Sequence, residues 1–161
     1  MKHLKKYIAI LSLIPFGALQ YLLMVLPMVL CRQLKYLGRT RGVPTFDATG
    51  RFEKWMRDDR WNGFAGIHII VILDNPMDKP KYNRTLMHEW MHTQQILRNG
   101  ALQLLLYPAE SVKVFFFGDK EKEHAYYSNK YEVEARLAAG QDEYIDPKYW
   151  MDGPEDRWHW W

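Results

Sequence analysis

The hydrophobic pattern is most extreme at the start of the chain. From Tyr7 to Cys31 (YIAILSLIPFGALQYLLMVLPMVLC) there is no charged side chain. About 25 residues at ~1.5 Å rise make a helix of roughly 37 Å, against a hydrocarbon core of ~30 Å. The pattern predicts a transmembrane helix over residues 7–31. Pro15, Gly17 and Pro27 would bend it, which lipid-embedded helices tolerate, and Tyr7, Tyr21 and Tyr36 suit the interfaces. Two alternatives stand beside this one. A cleaved signal would want a small-residue cleavage site, and no A-x-A-like site follows the run. A soluble core element would be a helical hairpin broken at Pro15.

Further on, the apolar runs shorten and change period. Gly38 to Gly50 (GRTRGVPTFDATG) is rich in turn formers and predicts a linker. Arg51 to Asp59 predicts a short amphipathic helix, with Phe52, Trp55 and Met56 on one face. Ala65 to Leu73 (AGIHIIVIL) is β-branched and bounded by Gly66 and by Asp74-Asn75-Pro76, so it predicts a strand. Asn83 to Asn99 predicts a helix with Asn83 as N-cap and Gly100 at the stop position. Leu102 to Phe117 is apolar but carries Glu110 and Lys113, too polar for a second full span; it packs over the core or grazes the bilayer. Asp119 to Ala139 predicts a second long helix stopped by Gly140. Tyr144 to Trp161 is aromatic and punctuated by Pro and Gly, an irregular tail whose Trp158, Trp160 and Trp161 pack on the domain or anchor at a membrane interface. The sum is an α+β protein: an anchor over 1–37, a linker over 38–50 and one domain over 51–161.

Charge sharpens this division. Residues 1–41 hold seven of the 22 basic residues and no acid, which leaves 15 basic against 19 acidic residues in the rest. The body is mildly acidic, so the overall charge of +3 gives no basic stripe for nucleic acid. The positive charge brackets the apolar run instead, and lipid is the partner expected for residues 7–31. Three Lys precede the run and four Lys or Arg follow it, so orientation stays open. A single cysteine, Cys31, excludes an internal disulfide framework and any Cys₄ or Cys₂His₂ zinc knuckle.

The candidate chemistry lies in the 83–99 helix, which contains HEWMH: His88, Glu89, Trp90, Met91, His92. Residues i and i+4 share a helix face, so His88 and His92 can offer two imidazole nitrogens to one zinc ion. Glu89 stands beside them as a general base for a zinc-activated water and then as general acid. Trp90 and Met91 suit the core, and Gln95 lies on the same face as the histidines. Two histidines need a third ligand. Gln95 and Arg98 occupy the places where a glycine and a third histidine would extend the motif, so the donor must come from elsewhere. Residues 129–140 (NKYEVEARLAAG) offer Glu132 and Glu134. Glu132 shares a face with Ala125, Ser128, Ala135 and Ala139, small residues that permit close helix approach; Glu134 shares one with Tyr127, Tyr131, Leu137 and Ala138. The spacing prefers Glu132 and keeps Glu134 as the alternative. A zinc site would bring its three donor atoms within about 3–4 Å of one another.

These residues resemble the gluzincin branch of the zincin metallopeptidases, in which HExxH is followed by a Glu from a later helix. The chain is also similar to a group of small uncharacterised bacterial proteins that share HExxH, a Gln pair, a Tyr-x-x-Glu stretch and an N-x-x-E-x-E-A segment. Here those are His88–His92, Gln94-Gln95, Tyr107–Glu110 and Asn129–Ala135, over roughly residues 66–145. The resemblance implies a minimal zincin-like domain, Zn²⁺ held by His88, His92 and Glu132, catalysis by Glu89, and hydrolysis of peptide bonds. It also implies an edge strand, here 65–73, along which a peptide substrate pairs. One departure is Arg136, where thermolysin-like enzymes carry an Asp that supports a ligand histidine; Glu110 or Asp142 would have to replace it. Tyr127, Tyr131 and His124 are candidates to stabilise the oxyanion, and His68 is expected to pack or cap. A different class of function, a membrane-anchored scaffold or binding module with a structural zinc, fits the same residues. So does a metal-free helical membrane protein with a coincidental motif.

Overall fold

The computed structural model describes residues 2–59, 61–73, 79–117 and 127–141. Its architecture is α+β. Helix α1 (Lys2–Gln20) runs through a π-helical turn (Tyr21–Val25) into helix α2 (Leu26–Leu30). Two strands follow, β1 (Leu34–Thr40) and β2 (Val43–Ala48), then helix α3 (Gly50–Asp58). Strands β3 (Gly63–Gly66) and β4 (Ile69–Ile72) precede the long helix α4 (Lys79–Asn99). A 3₁₀ turn (Gly100–Leu102) leads into helix α5 (Gln103–Phe117), and helix α6 (Lys130–Ala138) closes the described chain.

The four strands form one mixed sheet in the order β1-β2-β4-β3. β1 pairs antiparallel with β2, β2 parallel with β4, and β3 antiparallel with β4. All four residues of β4 are fully buried, which explains why its sequence is an unbroken apolar run rather than an alternation. Ile69 and Val71 face one side, packing with Val25, Leu34, Phe46, Ala48 and Met56. Ile70 and Ile72 face the other, packing with Val43 and with Tyr82, Leu86 and Trp90 of α4. The sheet thus fixes α4 on one face and receives the end of the N-terminal helix on the other.

Four expectations are corrected here. Residues 38–50 are not a linker: they complete β1 and build β2, whose Val43, Thr45, Phe46 and Ala48 are buried. The turn formers there serve a two-residue hairpin, with Arg41 at φ 47° and Gly42 at φ 89°, the positive-φ pair that such hairpins require. Residues 65–73 are not one strand either. His68 adopts φ 56° and turns the chain, so the run divides into the β3–β4 hairpin. The helical neighbour holds this turn: Tyr21 Oη donates to His68 O at 2.9 Å, and Ile67 N donates to Gln20 Oε1 at 2.9 Å. Helix α4 begins at Lys79 rather than at Asn83, with Pro80 in its first turn, where a missing N–H costs nothing. Of the helix expected over 119–139, residues 119–126 lie outside the described residues; the described part is interrupted at Ser128 and Asn129, and α6 starts at Lys130. Asn129 caps it by accepting from Tyr131 N at 2.9 Å. His124, Asp142 and the 144–161 tail lie outside the described residues.

The helix Tyr7–Leu30 is long and apolar enough to cross a membrane, with a mean hydropathy of 2.1. It is no core helix, since only 11% of its most apolar window is buried. Nor does it stand apart from the body. Leu13 packs against Ile67 and Ile96, Val25 joins the sheet core, and Ser12 Oγ accepts from Ala101 N at 3.1 Å.

The burial of β4 sets a stability expectation. Ile70→Ala opens a cavity beneath α4 and is expected to cost about 2–5 kcal/mol, measured by denaturant unfolding of the detergent-solubilised protein. Tyr36→Ala at the exposed face of β1 is expected to stay within about 1 kcal/mol.

Candidate metal centre

Helices α4 and α6 pack side by side and bring three donors to one point. His88 and His92 stand one turn apart on α4, and Glu132 projects from the first turn of α6. His92 Nε2 lies 3.1 Å from His88 Nε2 and 3.1 Å from Glu132 Oε1, and His88 Nε2 lies 3.3 Å from Glu132 Oε2. Donors bonded to one tetrahedral metal at about 2.0–2.2 Å stand about 3.3 Å from each other. The triangle therefore has the size that a metal ion needs, and its chemistry, two imidazoles and a carboxylate, suits a divalent cation. All three side chains are largely buried. This buried His88, His92 and Glu132 group can hold a metal ion.

Glu134, the alternative ligand, is directed elsewhere. Its carboxylate takes two hydrogen bonds from Arg98, at 2.8 and 2.9 Å, and one from Gln95 Nε2 at 2.8 Å. Gln95 is thereby fixed: its Nε2 also donates to Tyr131 O at 2.9 Å, and its Oε1 faces His92 Nδ1 at 2.9 Å. Gln95 thus does for His92 what the sequence left to Glu110 or Asp142. Glu110 is engaged instead with Lys113 and Lys130. Gln95 was recognisable on the histidine face, but its hold on His92 depends on α6 being in place. Tyr107 was not identified as a site residue; its hydroxyl donates to Glu132 Oε1 at 2.5 Å. Arg136 meets Glu132 Oε2 at 3.5 Å and donates to Tyr127 O at 3.1 Å. Nδ1 of His88 is buried without a hydrogen-bond partner among the described residues.

The electrostatics follow from burial and proximity. For Glu132, burial alone would raise the pKa. The hydrogen bonds and positive charges of His88 and His92 reverse that and hold the carboxyl well below the usual range. For His92, burial opposes the charge. Its hydrogen bond and ion pair with Glu132 outweigh this, with help from Glu89 and Gln95, and raise it to about 9. Burial pushes Glu89 up, only partly countered by the two histidines.

The centre lines a cleft of about 1070 Å³. Trp61 to Ala65, which includes the edge strand β3, forms one wall. Lys81, Arg84, Thr85 and Glu89 of α4 contribute to a second, and Leu104, Tyr107 and Pro108 of α5 to a third. Glu89 lies directly against β3: a Cβ at Gly63 would come within 2.7 Å of Glu89 Cγ and Oε1. Tyr127 lines the cleft, whereas Tyr131 is buried with its ring stacked on Tyr107. His68 sits in the β3–β4 turn, bonded to Tyr21 through its carbonyl and away from the centre.

Two expectations follow. Glu132→Ala should abolish stoichiometric metal retention, whereas Gln95→Ala should weaken it by about 10–100-fold, both read by metal titration of the purified protein. With a pKa near 9, His92 is an imidazolium at pH 7 in the metal-free state and loses its proton only as the pH rises through that value. A metal takes the neutral ring, so loading at pH 7 should release about one proton per site. Calorimetry in buffers of different ionisation enthalpy measures this.

Comparison with protein-family models, with curated proteins and with solved structures gave no match, so the function has to be argued from the centre itself.

Proposed function

We propose that the protein is a membrane-held, zinc-dependent peptidase of gluzincin type. The observation that carries this reading is the donor triangle of His88, His92 and Glu132, with Glu89 beside it in a cleft walled by an edge strand. Two imidazoles and a carboxylate are a donor set that zinc favours, and the described residues supply three ligands rather than four. Structural zinc sites are closed by four protein donors, while catalytic ones keep a position open. That favours the hydrolase over the scaffold with a structural zinc.

When bound, zinc polarises the substrate carbonyl and acidifies a water. The chain's own residues supply the rest. Glu89 accepts a proton at its carboxylate, which its burial favours, and can later return that proton to a leaving amine. Gln95 orients His92, with Glu134 and Arg98 behind it. Tyr107 and Arg136 hold Glu132 at its two oxygens, leaving the carboxylate little freedom to rotate away. Strand β3 has β4 on one side only among the described residues, so its other edge offers backbone groups to an extended peptide. Gly63 lets that strand approach Glu89. The helix Tyr7–Leu30, by its length and apolarity, supports placement in a membrane.

The test is Glu89→Gln, assayed by mass spectrometry on a mixed peptide library with metal content measured in parallel. Retained zinc with hydrolysis reduced by about 10²–10⁴-fold is expected. Equal behaviour of variant and parent would sink the peptidase and leave the scaffold. Gly63→Ala should displace the Glu89 carboxylate, lowering turnover by about tenfold or more with metal content unchanged.

A further inference from the structure

Helix α5 has two dissimilar sides. One serves the centre: Tyr107 reaches Glu132, and Ser111 accepts from Asn129 at 2.7 Å. The opposite side carries Leu105, Ala109, Val112 and Phe116, spaced by four, three and four residues, which aligns them as one stripe. Leu105 is 68% exposed, Val112 53% and Phe116 63%, and Leu102 in the turn before α5 extends the row at 63%. Isolated apolar residues on a surface are ordinary, but a continuous row of this kind marks a contact.

Its position relative to the N-terminal helix identifies what it contacts. The turn that starts α5 is locked to the apolar segment: Ala101 N bonds Ser12 Oγ, and a Cβ on Gly100 would meet Ala9 at 2.9 Å. Ala9 and Ser12 lie inside the Tyr7–Leu30 segment, whose Leu11, Ile14, Leu22 and Leu23 are themselves more than half exposed. If that segment sits in lipid, the start of α5 is tied to a point within it. The charges agree. Glu110 and Lys113 are the only charged residues of α5; Glu110 pairs with Lys113 at 3.3 Å and with Lys130 at 3.6 Å. The Lys113 side chain is 66% exposed, and a long stem of this kind can carry its ammonium to the headgroups.

We propose that α5 is a second membrane contact of this chain, lying in the bilayer interface with its Leu105–Ala109–Val112–Phe116 stripe in lipid. The inference rests on the membrane placement of the N-terminal helix proposed above and not on hydrolysis. Its consequence for the cleft is direct. Leu104, Tyr107 and Pro108 line the cleft from this same helix. The polypeptide that reaches the centre is then one presented at the membrane surface, such as the juxtamembrane segment of a membrane protein.

The test uses the full-length chain with its one cysteine removed by Cys31→Ser. Single Val112→Cys, Leu105→Cys, Leu22→Cys and Lys54→Cys variants each carry an environment-sensitive fluorophore in vesicles of phosphatidylcholine and phosphatidylglycerol. Quenching is read with doxyl-labelled lipid and with aqueous iodide. The expected result is lipid quenching at positions 105 and 112 within about twofold of position 22, with iodide quenching confined to position 54. Iodide quenching at 105 and 112 with lipid quenching at 22 overturns the proposal and leaves a single tether. Iodide quenching at 22 as well overturns the membrane placement itself. Shielding of 105 and 112 from both quenchers also overturns the proposal, because protein would then cover the stripe. Metal content and peptide cleavage enter none of these readouts, so a failed peptidase assay is distinguishable from a failed membrane contact.

Discussion

A carboxylate buried to 2% exposure constrains everything around it. Glu132 is held by two imidazoles, a phenol and a guanidinium, and an ionised group so deeply placed persists only with its partners in position. Leaving such a charge unpaired costs about 3–5 kcal/mol, a large share of a small domain's stability. The centre therefore fixes the mutual position of three helices, since its residues come from α4, α5 and α6. The ion pair with Glu132 favours a proton on His92, and a bound cation would take over that charge. The same atoms that form the ion pair could form a coordination shell.

The approach of α6 to α4 depends on small or precisely bonded residues at the contact. Gln95 bridges the two helices through Tyr131 O and Glu134. Arg98 closes the outer rim by its double bond to Glu134. Glu132 and Glu134 sit two residues apart on α6 and so point to different sides of the helix. One ends in the centre, the other in the buttress behind His92. That division gives both acids of the sequence work at the same place without competition for the metal.

Much of this was legible in advance, for local reasons. The i, i+4 spacing of His88 and His92 needs only a helix, and the preference for Glu132 followed from the small residues Ala125, Ser128, Ala135 and Ala139 on its face. The apolar helix was visible from length alone. Two helix starts were misplaced locally, and the larger errors concern long-range pairing. Val43 to Ala48 looks like linker because Pro44 and Asp47 interrupt its apolar residues, yet pairing with β1 and β4 makes it a strand. Ile67-His68 looks like the middle of a strand because both flanks are apolar; Gln20 and Tyr21, 47 residues away in each hydrogen bond, bond it as a turn. Gln95 and Tyr107 acquire their roles only when α6 arrives. A single-residue pattern carries period and polarity, and none of these positions is decided by either.

The N-terminal helix is where the apolar segment and the site geometry meet. It is not merely a tether, because its polar and apolar contacts are spread along its length. Ser12 bonds the turn that starts α5, Gln20 and Tyr21 clamp the β3–β4 turn, and Val25 fills the sheet core against Val71. The β3–β4 turn fixes strand β3, and β3 lies against Glu89. Helix α5 in turn brings Tyr107 to Glu132. Both the wall of the cleft and one support of the metal ligand are thus braced on the apolar helix. Tilting this helix would move the two elements that define the cleft, so the position of the apolar segment and the shape of the His88–His92–Glu132 site are mechanically linked.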